Sequence, residues 1–274
     1  MLSDKARGIA ELYTQRHQTR WDVFGDRPFA NYGYWTHEGM TIDEACEAMT
    51  DLVTGAAGMK PGDRVLEVGC GYGASAVHYA RDLRPASVIG IDITDVRLES
   101  ARQYVKDNRL ADIVDIRFGD ATQLDFPPAS FDRVIGIECV MHFDTRKKFL
   151  EEAFRVLAPG GGLGLADLII RGGMDREKVM AGVKMGEYGR HVASDNIHDA
   201  DVYLTHLQEC GFTDARVEPI TDRTIHPLIR HLETVATRKD SGDGLDRRRT
   251  ADIYRRYLTL GMEYVLVSAR RPRN

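Results

Sequence analysis

Two sets of residues in this 274-residue chain have the types and spacing to do chemistry. The first lies in VLEVGCGYGAS, Val65 to Ser75, where an apolar run ends in glycines at 69, 71 and 73. A glycine turn after a strand exposes main-chain N–H groups and lets a ligand approach closely. It can cradle a pyrophosphate, hold a different nucleotide ligand, or simply make a tight corner. Gly69, Gly71 and Ala74 satisfy the loose G-x-G-x-x-A fingerprint of dinucleotide binders, and Asp92 stands about twenty residues on, where a ribose-binding acid belongs. Three features weigh against a pyrophosphate. Glu67 sits at the strand end, where its charge would repel phosphate and attract an ammonium or sulfonium. Gly73 widens the turn for a bulkier ligand. Asp120, in FGDATQLDF, follows the third strand, where it can accept from an exocyclic amine.

The second set is His142, in IECVMHFD, and Asp167, in LGLADLI. Both stand at the carboxyl ends of apolar runs, the edge at which open parallel sheets bind ligands. Histidine titrates near neutral pH, so His142 suits a general base, and a neighbouring Asp167 could orient the imidazole or bind substrate. The bland alternatives are a loop histidine that packs and a structural carboxylate. Upstream, Asn31-Tyr32-Gly33-Tyr34-Trp35 offers rings for a cation and hydroxyls for a carboxylate, or merely fastens the N-terminal segment to the core. The late histidines, at 191, 198, 206, 226 and 231, form no zinc-type pair, so no metal site is expected.

Taken together and in order, these motifs resemble the class I S-adenosylmethionine-dependent methyltransferases. The similarity runs well over residues 30–170 and in outline beyond. The family's glycine motif appears as Glu67-x-Gly69-x-Gly71-x-Gly73, its ribose acid as Asp92, and its adenine-side acid as Asp120 with Ala121; FDRVIGIE ending at Glu138 and the APGGG turn also fit. The resemblance implies S-adenosylmethionine as cofactor, held by Glu67, Gly69, Cys70, Gly71, Asp92, Ile93, Asp120, Ala121 and Glu138, with Tyr32 and Tyr34 over it. The NYGYW stretch, His142 and Asp167 further resemble small-molecule O-methyltransferases that tailor antibiotics and their sugars. Met141 stands where some of those relatives have a second histidine, so a two-histidine arrangement is not implied. The reaction expected is methyl transfer to a hydroxyl of a small metabolite, with His142 as base. N- or C-methylation, or a cofactor-binding cyclase or scaffold, stay open.

These residues need a frame. Strand patterns at Val65–Val68, Ser87–Asp92, Val114–Phe118, Asp132–Ile137 and Leu163–Leu168 alternate with helical patterns at Ala74–Arg81, Asp95–Lys106 and Thr145–Leu157. That alternation predicts an α/β, Rossmann-like, doubly wound sheet. TDARVEPIT and Tyr264–Ala269 add late strands, for about seven in all, mostly parallel with a C-terminal antiparallel strand. Ahead of them, Ile9, Leu12, Tyr13 and Trp21 fit one helical face, and Thr41 to Glu44 fits a capping box. The APGGG segment reads as a stop between helix and strand. The expected organisation is N-terminal helices and lid over 1–60, cofactor-binding core over 61–170, substrate cap over 171–198, and the rest of the core with cap helices near Pro227–Arg238 and Asp246–Leu260 over 199–274. In the cap, Met174, Met180, Met185, Tyr188 and His191 suggest an adaptable apolar pocket or an ordinary helix core.

Composition narrows the function classes. A net charge of −5 disfavours a general nucleic-acid binder, and clusters such as Arg247 to Arg249 read as solvated faces. Four scattered cysteines suggest free thiols in a reducing compartment. Neither a secretory signal nor a membrane-length apolar run stands out. The expectation is a cytoplasmic protein, a possible homodimer, with a small-molecule partner and no membrane or nucleic acid.

Overall fold

The computed structural model describes residues 2–17, 25–184, 189–236 and 247–273. Trp21, Met185, Tyr188 and the polar loop 238–246 lie outside the described residues. Two helices precede the sheet, α1 (Asp4–Arg16) and α2 (Ile42–Ala57). The capping box is present: Thr41 accepts from the Glu44 amide, and the Glu44 carboxylate accepts from the Thr41 amide. Chain order continues β1 (Arg64–Val68), α3 (Ala74–Leu83), β2 (Ser87–Asp92), α4 (Asp95–Asp107), β3 (Val114–Phe118) and β4 (Phe131–Ile137). It then runs α5 (Arg146–Val156), β5 (Leu157–Ile170), α6 (Arg176–Lys184), α7 (Ala200–Glu209), β6 (Thr213–Pro219), α8 (Ile225–Ala236), α9 (Arg247–Thr259) and β7 (Met262–Arg270).

The strands form one seven-stranded sheet in the order β3-β2-β1-β4-β5-β7-β6, with β7 antiparallel to both its neighbours. Central strands covered on both faces read as unbroken apolar runs, and β1 is buried from Val65 to Val68. Helices α2, α3, α4 and α8 contribute to the core on one face, and α5 and α7 to the core on the other. The crossovers change direction between β1 and β4, so a crevice opens at their carboxyl ends.

Two features depart from the sequence reading. APGGG is not a turn outside the strand but its bulged beginning. Leu157 pairs with Phe131 and Gly162 with Arg133, so five steps on β5 match two on β4. In the same strand, a side chain at Gly162 or Gly164 would strike the backbone of α2, and these glycines let that helix lie directly on the sheet. The second departure is length: β5 and β7 pair from Gly162↔Arg270 to Ile170↔Met262 and carry the sheet past the crevice edge.

Candidate active site

The crevice is a cavity of about 790 Å³ whose floor is the carboxyl edge of β1, β2, β3 and β4. Each strand delivers one acid to it: Glu67, Asp92, Asp120 and Glu138. Between β1 and α3 the chain reverses through Gly69, Gly71 and Gly73, all at positive φ. A side chain at Gly69 would strike Cys139, whereas Gly71 has only Arg97 Nη1 within 4.0 Å of where its Cβ would lie. The turn thus presents open backbone to the cavity.

Asp92 shows what this floor can bind. Its Oδ2 accepts from the Gly71 amide at 3.1 Å and its Oδ1 from the Thr94 amide at 2.9 Å. An ionised carboxylate has about four lone-pair sites, so each oxygen keeps one for a ligand, the arrangement that suits two vicinal hydroxyls. Asp120 is one-sided: the Thr122 amide and hydroxyl both bond Oδ1, at 2.8 and 2.7 Å, which leaves Oδ2 for an exocyclic amine. Ile93 and Ala121 line the cavity beside these two acids.

Glu67 and Glu138 are more enclosed. Glu67 is 3% exposed, and burial pushes its carboxyl up to about 8 against the pull of the Tyr79 hydroxyl, which donates to Oε2 at 3.1 Å. Glu138 Oε1 accepts from the Tyr32 amide at 2.6 Å and the Tyr264 hydroxyl at 2.7 Å, yet burial still pushes its carboxyl up to about 8. Its backbone is left-handed, at φ 54°, a strained conformation for a non-glycine residue. Cys70 and Cys139 also line the cavity, with thiols pushed well up by burial, so neither is poised as a nucleophile.

The roof comes from both ends of the chain. Helix α1 sends Ile9, Tyr13 and Arg16 into the lining, and α9 sends Arg249, Ile253, Tyr254 and Arg256. His142 sits in a 3₁₀ turn after β4, with Nε2 3.2 Å from the Tyr13 hydroxyl. Enclosure and the Arg97 guanidinium push this imidazole down to about 4. Arg97 in turn lies 3.8 Å over the Tyr13 ring and 5.0 Å from that of Tyr72.

Asp167 requires a correction. It does not line the cavity or meet His142. With Leu165 and Ile169 it faces α5 and α7, fully buried, where Arg146 Nε donates to Oδ2 at 2.8 Å and the Tyr203 hydroxyl at 3.2 Å. Tyr34 is a second one. Only Tyr32 of the NYGYW pair lines the cavity; Tyr34 is held by its amide on the Ala45 carbonyl and lies 5.9 Å from the Arg223 guanidinium. Tyr32 is not poised to release its proton either, because burial and Tyr254 raise its hydroxyl well above the ordinary range.

Sequence reasoning missed Tyr13 as a site residue, although it was assigned to the helix face. The signal was there: Ala6, Ile9, Tyr13 and Arg16 recur at helical spacing and end in polar groups, as on a face that closes a pocket. Arg97 and the aromatic face of α9 were missed as well. Arg146 could have been found, since an arginine in line with Phe149, Leu150 and Ala153 needs a buried carboxylate.

A family model described as "Methyltransferase domain" matches residues 66–165. O-methyltransferase resE of Aspergillus sclerotiorum is 33% identical over 86% of this chain and 86% of its own. Erythromycin 3''-O-methyltransferase of Saccharopolyspora erythraea is 28% identical over 98% of this chain and 91% of its own. Among solved structures, geranyl diphosphate C-methyltransferase from Streptomyces coelicolor, in complex with S-adenosyl-L-homocysteine, superposes with a TM-score of 0.77. It covers 98% of each chain at 17% identity, a likeness of fold.

Proposed function

The chain belongs to the S-adenosylmethionine-dependent methyltransferases of natural-product type, and we propose that it methylates a hydroxyl of a small metabolite through His142 and Tyr13. When bound, the cofactor supplies a methyl group on a positive sulfur, already activated for in-line displacement. The floor fits this group. Asp92 would accept the ribose hydroxyls on its two remaining lone pairs, Asp120 Oδ2 the adenine amine, and Glu67 the methionine ammonium. The open backbone at Gly71 would face the methionine carboxylate, and Ile93 the adenine ring.

The observation that carries the reading is the Tyr13–His142 pair at the cavity roof. A neutral imidazole is the form that accepts a proton, and His142 holds that form across the whole neutral range. The acceptor hydroxyl passes its proton to the Tyr13 oxygen as the tyrosine proton moves to His142 Nε2; the imidazolium then returns it to water. Holding the acceptor under α1 and α9 supplies proximity, commonly the larger share of such a rate. Substitution His142→Ala is expected to cut turnover by roughly 10²–10⁴-fold with S-adenosylhomocysteine affinity nearly unchanged. Full turnover in that variant would remove His142 from the mechanism. A second reading has support in the same depressed basicity: a neutral amine attacks without first losing a proton, so N-methylation needs less from His142.

A further inference from the structure

The charges lining the cavity are sorted by position. Its floor is acidic, with Glu67, Asp92, Asp120 and Glu138 at the strand ends. The cationic side chains come from elsewhere: Arg97 from the first turn of α4, Arg16 from the end of α1, Arg190 from a short 3₁₀ turn, and Arg249 and Arg256 from α9. The further acid in the lining, Asp144, is ion-paired with Lys5 at 3.5 Å.

Arg97 makes this distribution informative. It is 6% exposed, its guanidinium is stacked on the tyrosine rings at 13 and 72, and its buried Nε has no hydrogen-bond partner among the described residues. A buried cation is normally paired, because an uncompensated one is costly. Here the guanidinium lines the cavity instead, close to Gly71 as well as to Tyr13, and an anion in the cavity would complete it. A cofactor held by the acidic floor would add the positive charge of its sulfonium to the same cavity. A cationic acceptor would meet positive charge on both sides, whereas an anionic one would be attracted by both.

Resting on the methyl-transfer reading, we propose that the acceptor carries an oxyanion group, a carboxylate or phosphate ester, held by the guanidiniums of Arg97, Arg190 and Arg256. Guanidinium forks match both groups.

The test uses full-length protein saturated with S-adenosylhomocysteine and four matched phenols: para-hydroxybenzoate, its methyl ester, para-hydroxyphenyl phosphate and tyramine. Calorimetric titration is expected to give the carboxylate or the phosphate an affinity roughly tenfold or more above the ester, with tyramine weakest. Which of the two anions binds tighter identifies the group. The double substitution Arg190→Ala/Arg256→Ala is expected to collapse the preference while S-adenosylhomocysteine affinity holds. Equal or tighter binding of the ester or tyramine overturns the inference, as does failure of every anion to bind or survival of the preference in the double variant. Loss of S-adenosylhomocysteine affinity in that variant also overturns it, because the arginines would then serve the cofactor carboxylate. Wild-type protein that fails to bind S-adenosylhomocysteine would instead sink the underlying reading.

Discussion

Binding of the cofactor should move a proton, and its size follows from Glu67. With its carboxyl raised to about 8 by burial, this group is about 0.9 protonated at pH 7 in the ligand-free protein. Pairing with the methionine ammonium ionises it and releases that proton. The amine of a free amino acid lies beside its own carboxylate, which keeps it protonated at pH 7, so it takes up almost nothing on binding. The net expectation at pH 7 is release of about 0.9 proton per site. At pH 9 Glu67 is already ionised and that release is lost. Titration calorimetry with S-adenosylhomocysteine, in phosphate and in Tris buffer at each pH, reads this number directly as buffer-dependent heat. In Glu67→Gln the release at pH 7 should vanish. A heat at pH 7 independent of buffer in the wild type would refute the assignment, as would undiminished release in the variant, which would move the proton to Glu138.

Three further outcomes are expected. On the proposed cofactor placement, Asp92→Ala takes away two charge-assisted acceptors for the ribose along with the anchor of the Gly71 amide, so S-adenosylhomocysteine affinity, read by calorimetry, should fall roughly 100-fold or more. Substitution Asp167→Asn leaves Arg146 buried without its counter-charge and should destabilise by roughly 3–5 kcal/mol in chemical unfolding, with cofactor affinity near wild type at permissive temperature. His142 sets part of the acid limb of stability: its folded value of about 4 lies below the ordinary 6.5, so the unfolded chain binds the proton first and stability falls as pH drops from 6.5 towards 4. Between pH 7 and pH 5 that amounts to about 2 kcal/mol, which His142→Gln should abolish in unfolding curves at the two pH values.

The floor of the site was legible because its geometry is local. Strands at Ser87–Asp92 and Val114–Phe118 are found with the bounds read from their apolar runs, and a residue at the carboxyl end of a parallel strand reaches the crevice almost regardless of tertiary detail. Glu67, Asp92, Asp120 and Glu138 all follow from that rule. The rule fails for Asp167, because β5 continues past the edge and strand alternation turns this side chain towards Arg146 and Tyr203. The Tyr13–His142 pair spans 129 positions, and the contact of Tyr32 with Tyr254 at 5.0 Å joins NYGYW to α9. Such pairings depend on how the terminal helices dock, which no local pattern encodes. Arg249 belongs to the same class: in sequence it is one of three consecutive arginines on a solvated face, and exposed as it is, only the placement of α9 also brings it into the cavity lining.

The central claim is transfer of a methyl group to oxygen. Its most direct measurement is incubation with S-adenosylmethionine carrying ¹³C in the methyl group and a panel of small metabolites bearing both hydroxyl and amine groups, with the labelled carbon of each product located by NMR. The account predicts label on oxygen, one S-adenosylhomocysteine formed per labelled product, and a rate greatly reduced in His142→Ala. Label on nitrogen or carbon, or product altered without label while the cofactor is bound, would contradict it.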